Sequence, residues 1–148
     1  HRVDRRQRQM CIRDRFQLHS QLAADTHYIT AVENCQVLLM NDARFPWLVL
    51  VPMENDIREL YELSKSAQEQ TYRAMLYTAE LLAEHTHADK MNVAALGNQV
   101  PQLHIHIIAR YTKDAAWPGP VWGVGQAEPY RATDAKTKVQ ELAGLLTP

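Results

Sequence analysis

Residues 102–110 read Gln102-Leu103-His104-Ile105-His106-Ile107-Ile108-Ala109-Arg110, a β-branched and apolar run that favours an extended strand. Residues two apart in a strand point to the same face. Gln102, His104 and His106 are therefore predicted to form a polar row, while Leu103, Ile105 and Ile107 turn the other way into a core. Aligned imidazoles on a rigid strand suit two chemistries: a neutral imidazole attacks phosphorus or carbon, or two imidazoles ligate a divalent metal. The preceding loop, Gly97-Asn98-Gln99-Val100-Pro101, favours the first, because neutral carboxamide donors suit phosphate oxygens. A metal site would want another His or a carboxylate close by, and none lies between Lys90 and Arg110.

Working upstream, Cys35 to Met40 and Trp47 to Val51 are apolar runs of strand length, the second ended by Pro52. Between them Asn41-Asp42-Ala43-Arg44-Phe45-Pro46 has the composition of a turn, so the three segments predict a β-hairpin. Tyr28-Ile29 starts an earlier strand, and Met91 to Leu96 supplies another, joined to Leu103–Ala109 by the Gly97 loop. Ile57 to Leu63 has a short helical pattern. Ser66-Ala67-Gln68-Glu69 has capping-box spacing for a longer helix, with Tyr72, Met75, Leu76, Ala79, Leu82 and Ala83 as its packed face. Asp134 to Leu146 predicts a terminal helix whose apolar side is Val139, Leu142, Leu145 and Leu146. Strands with helices grouped between them give an α+β class, an antiparallel sheet with helices packed on one face.

The chain has 148 residues, the size of one compact domain. Residues 1–15 hold six Arg against two Asp, and the remaining residues carry ten Lys and Arg against fifteen Asp and Glu, a net charge of −5. Residues 1–15 therefore read as a basic leader, disordered or non-native, and residues 16–148 as a single domain. Its acidic body has no basic stripe for a nucleic-acid duplex. No apolar run approaches the roughly 20 residues of a membrane span. With Cys11 and Cys35 alone there is no disulfide framework and no Cys-x-x-Cys motif, which points to a reducing, cytoplasmic setting.

Taken together, Gly97-Asn98-Gln99-Val100-Pro101-Gln102-Leu103-His104-Ile105-His106-Ile107-Ile108 resembles the signature of the histidine triad (HIT) family of nucleotide hydrolases and transferases, His-x-His-x-His followed by two apolar residues. Here Gln102 stands in place of the first His. The likeness extends to Val37–Asp42 and Leu48–Pro52, similar to the paired strands around the family's nucleoside pocket, and to Trp117-Pro118-Gly119-Pro120. It implies an HIT-like fold, a homodimer with a continuous sheet, and attack on the α-phosphate of a nucleoside phosphoanhydride or phosphoramidate, such as a diadenosine polyphosphate. His104 matches the nucleophile that becomes nucleotidylated, and His106 the residue that binds a non-bridging phosphate oxygen. Asn98 and Gln99 match phosphate-contacting loop positions, and Asn41 and Asp42 the region that binds ribose hydroxyls. No cofactor is required in the covalent step, with Mg²⁺ an accompaniment of a polyphosphate substrate.

Two departures bear on turnover. Gln102 can donate a hydrogen bond to a bridging oxygen but cannot deliver a proton, help that is worth about 10²- to 10⁴-fold. Trp47 stands where several members carry a His. Both departures favour an alternative reading, a nucleotide-binding module with little turnover. A further alternative is a metal-binding domain or enzyme using His104 and His106.

Overall fold

The computed structural model describes residues 15–148, so the leader predicted for residues 1–15 lies outside the described residues except for Arg15. Five strands, β1 (Thr26–Val32), β2 (Cys35–Met40), β3 (Trp47–Pro52), β4 (Lys90–Ala94) and β5 (Ile105–Arg110), form one antiparallel sheet. Their spatial order is β1-β2-β3-β5-β4. Among the described residues three α-helices accompany it: α1 (Ser20–Asp25), α2 (Lys65–Thr86) and α3 (Ala132–Leu146).

The β2–β3 hairpin forms as its turn chemistry predicts, with Leu39 opposite Leu48 and Cys35 opposite Pro52. Every residue of β3 and of β5 is buried. That explains why both read as continuous apolar runs rather than alternating ones, since each is covered on two faces. On one face Val37, Leu39, Leu48, Leu50, Ile105 and Ile107 meet Ala74 and Leu82 of α2 and Leu142 and Leu146 of α3. On the other, Leu38, Trp47, Val49 and Ile108 meet Leu22 of α1 and Val121.

The α+β fold forms as expected, with the two long helices α2 and α3 on one face of the antiparallel sheet, and the short helix α1 adds cover on the other. Other expectations are corrected. Gln102 and His104 precede β5, which starts at Ile105, and Leu103 belongs to a small separate cluster with Leu63 and Ala67. Its amide donates to the Ile57 carbonyl at 2.8 Å, a bond that draws residues 102–104 out of the sheet. Residues 57–63 contain one 3-10 turn, Leu60–Glu62. Helix α2 is capped by Ser64, whose hydroxyl accepts from the Ala67 amide, two residues before the predicted cap. Its buried face is Ala67, Thr71, Ala74, Thr78 and Leu82, while Tyr72 and Leu76 are exposed.

Candidate active site

His104 and His106 lie side by side, ring centroids 5.0 Å apart and close to perpendicular, and both are buried. Their hydrogen bonds make them chemically different. His104 Nδ1 is 2.7 Å from the Gln102 carbonyl oxygen. A carbonyl only accepts, so Nδ1 carries the proton and the Nε2 lone pair is free. His106 Nδ1 is 2.9 Å from Trp47 Nε1, and an indole only donates. His106 is therefore the opposite tautomer, with its proton on Nε2. Burial pushes its pKa down to about 4, with the neighbouring His104 adding to the shift, so His106 stays neutral at physiological pH. One nucleophilic nitrogen and one N–H donor are thus presented by adjacent rings.

The sheet register explains the pairing. Val49 sits opposite His106 and Trp47 opposite Ile108, so Trp47 is the diagonal neighbour of His106 on the same face. Trp122 closes the group, its ring 5.1 Å from that of His106 and 6.0 Å from that of Trp47. Sequence reasoning read Trp47 only as the loss of an imidazole. The signal for its positive role was the parity of the apolar run, which puts residues 47 and 49 on the face of residue 106.

Trp47 and Trp122 also line a cavity of about 430 Å³ together with Met40, Asn41, Asp42 and Arg44. Asn41 Oδ1 accepts from the Tyr130 amide at 3.0 Å. Asp42 is buried and its carboxylate is occupied: Arg44 Nε and Nη2 reach Oδ1 and Oδ2 at 3.0 and 2.9 Å, and the Arg44 and Glu128 amides also donate to Oδ1. Burial raises the Asp42 pKa, but these hydrogen bonds outweigh it and hold the carboxyl below its usual range. The ribose contact that the resemblance implies for Asp42 therefore meets oxygens already engaged. Asp42 instead fixes Arg44, whose Nη1 donates to the Val124 carbonyl at 2.6 Å and ties down the cavity wall.

Asn98 and Gln99 stand exposed in the loop between β4 and β5. That loop turns at Gly97, whose φ of +69° lies in the left-handed region that favours glycine. Gln102 departs furthest from expectation. Its Nε2 donates to the Gln17 carbonyl at 2.9 Å and its Oε1 accepts from the His19 amide at 2.8 Å, so both ends of the carboxamide are spent on backbone. Arg110 is buried and held by Asp114, Asn92 and the Gly119 carbonyl. Among the described residues no three His, Cys, Asp or Glu side chains converge to hold a metal ion.

The HIT domain family model matches residues 21–113. A histidine triad protein from Marinobacter aquaeolei VT8 is 49% identical with a TM-score of 0.86, over 88% of this chain and 96% of that one. One from Bradyrhizobium japonicum is 44% identical with a TM-score of 0.85, over 89% and 98% of the respective chains. One from Sinorhizobium meliloti 1021 is 42% identical with a TM-score of 0.85, over 88% and 97%. No curated protein matches the chain significantly.

Proposed function

This chain belongs to the HIT domain family, and from that premise we propose that it is a nucleotide hydrolase or nucleotidyl transferase working through a covalent nucleotidyl-His104 intermediate. The observation that carries the reading is the opposed pair of tautomers, a free lone pair on His104 Nε2 beside an N–H on His106 Nε2. His104 Nε2 attacks the α-phosphorus of a phosphoanhydride or phosphoramidate. A P–N bond forms as the bond to the leaving group breaks, and the leaving group departs with the electron pair. The His106 N–H donates to a non-bridging oxygen, where negative charge is held through the transition state. Water then cleaves the P–N bond, releasing the nucleoside monophosphate and regenerating His104.

The nucleoside occupies the cavity beside Trp47 and Trp122, with the Asn41 carboxamide at its wall and Asn98 and Gln99 at the phosphates. The covalent step uses no metal; Mg²⁺ enters with a polyphosphate chain. The test is intact mass after brief incubation with adenosine phosphoramidate or diadenosine polyphosphate in EDTA. An acid-labile adduct of one nucleotide, absent in His104→Ala, is expected. An adduct that survives His104→Ala would overturn the assignment of the nucleophile.

The engaged carboxamide of Gln102 favours a second reading, a nucleotide-binding module with little turnover. It predicts nucleotide binding by wild type with no adduct. The homodimer that the family resemblance implies is supported by exposed apolar residues, Tyr72 and Leu76 on α2, Leu96 in the loop after β4 and Val93 on the edge strand β4.

A further inference from the structure

We propose that Gln102 is a positioning residue, a latch that joins the segment before α1 to the nucleophile and sets the tautomer of His104. Gln102 is bonded in two directions. Its side chain bridges the Gln17 carbonyl and the His19 amide, and its own carbonyl receives the His104 Nδ1 proton. The latched segment is anchored at its start too, since Asn55 accepts from the Gln17 amide and donates to the Arg15 carbonyl. Phe16 and Leu18 pack from it onto the cluster containing Trp47. Holding the side chain of Gln102 fixes the residue, and a fixed residue aims its carbonyl at one nitrogen of the neighbouring ring.

The chemistry requires a carboxamide. A planar amide has a donor and an acceptor next to each other, which match a backbone carbonyl and the amide two residues on. Glutamate keeps only the acceptor. A histidine carries its donor and acceptor on separate sides of a ring, so it cannot span Gln17 and His19 in this way. Position 102 is thus used to hold the nucleophile, a task different from proton delivery to a leaving group.

The experiment compares wild type with Gln102→Glu, Gln102→Leu and Gln102→His by amide hydrogen exchange at His19 and by ring-¹⁵N NMR of His104. Adduct formation at saturating adenosine phosphoramidate is measured alongside. The latch predicts that His19 exchange rises on the order of tenfold for each bond lost, least in Gln102→Glu and most in Gln102→Leu. His104 becomes a tautomer mixture in the same order, and adduct formation slows with little change in nucleotide affinity. Unchanged His19 exchange in folded Gln102→Leu, or faster turnover in Gln102→His, would overturn it. The catalytic part rests on the proposed function, but exchange and tautomer need no substrate. A wild type that forms no adduct, while His19 exchange still responds to Gln102, overturns that function and supports the latch.

Discussion

Two like imidazoles hold opposite tautomers here because each ring has one nitrogen bound to a group of fixed polarity. A carbonyl beside His104 and an indole N–H beside His106 leave no other distribution of protons for neutral rings. Trp47→Phe keeps most of the aromatic packing and removes the donor. His106 Nδ1 is then free to take a proton, and the tautomer that the proposed mechanism uses as phosphate donor loses its support. Adduct formation is expected to fall roughly tenfold, the scale of one buried hydrogen bond, read by single-turnover kinetics. The depressed pKa of His106 has a stability consequence. Between the ordinary value of 6.5 and the folded value of about 4 the unfolded chain binds more protons at this residue. The stability it contributes is complete above pH 6.5 and drains away as pH falls toward 4, by roughly 3 kcal/mol in all. Urea unfolding at pH 7 and pH 4.5 checks the sign, and His106→Asn should flatten the difference.

Among the elements, helix α2 shows how small residues settle a packing distance. Its buried stripe of Ala67, Thr71, Ala74, Thr78 and Leu82 lets the helix lie close to the sheet. Of the face predicted from sequence, Leu82 is buried and Met75 and Ala79 pack against the core, whereas Tyr72 and Leu76 turn toward solvent. Ala74 has no exposed surface, so Ala74→Leu would overpack the interface and cost about 1–3 kcal/mol in chemical denaturation. The end of β5 is set differently. Arg110 is buried with Asp114 at 2.7 Å, and the guanidinium holds the Asp114 carboxyl well below its usual range. Asp114 also accepts from the Tyr111, Ala116 and Trp117 amides, which shapes the turn after β5. Asp114→Ala strands a buried cation and frees that turn, with an expected loss of roughly 3–5 kcal/mol in the same measurement.

At the scale of the molecule, the sheet ends at β1 on one side and β4 on the other. Exposed sheet edges invite pairing with another strand, and β4 carries an exposed apolar residue, Val93, at 43%. Tyr72 and Leu76 of α2 are 61% and 55% exposed, so little of the monomer's core depends on them. If two copies associate through this surface, Leu76→Glu and Val93→Lys should halve the mass measured by light scattering while unfolding stays cooperative. An unchanged mass in both variants would place association elsewhere.

The order of polar and apolar residues was sufficient for the hairpin, the five strands, the terminal helix and the pair of imidazoles. Each follows from local composition and spacing, and Trp47–Pro52 and Ile105–Arg110, buried on both faces, read as β-branched and apolar runs of strand length. Periodicity along the chain could not reveal bonds between residues far apart in it. Gln102 was read as a substrate donor because its partners, Gln17 and His19, lie more than 80 positions away. Asp42 was read only as a ribose-binding position, because the Glu128 amide that completes its shell is equally remote. The tautomers of His104 and His106 depended on tertiary structure most of all, since a proton's position on imidazole is set by whichever group the fold brings to the other nitrogen.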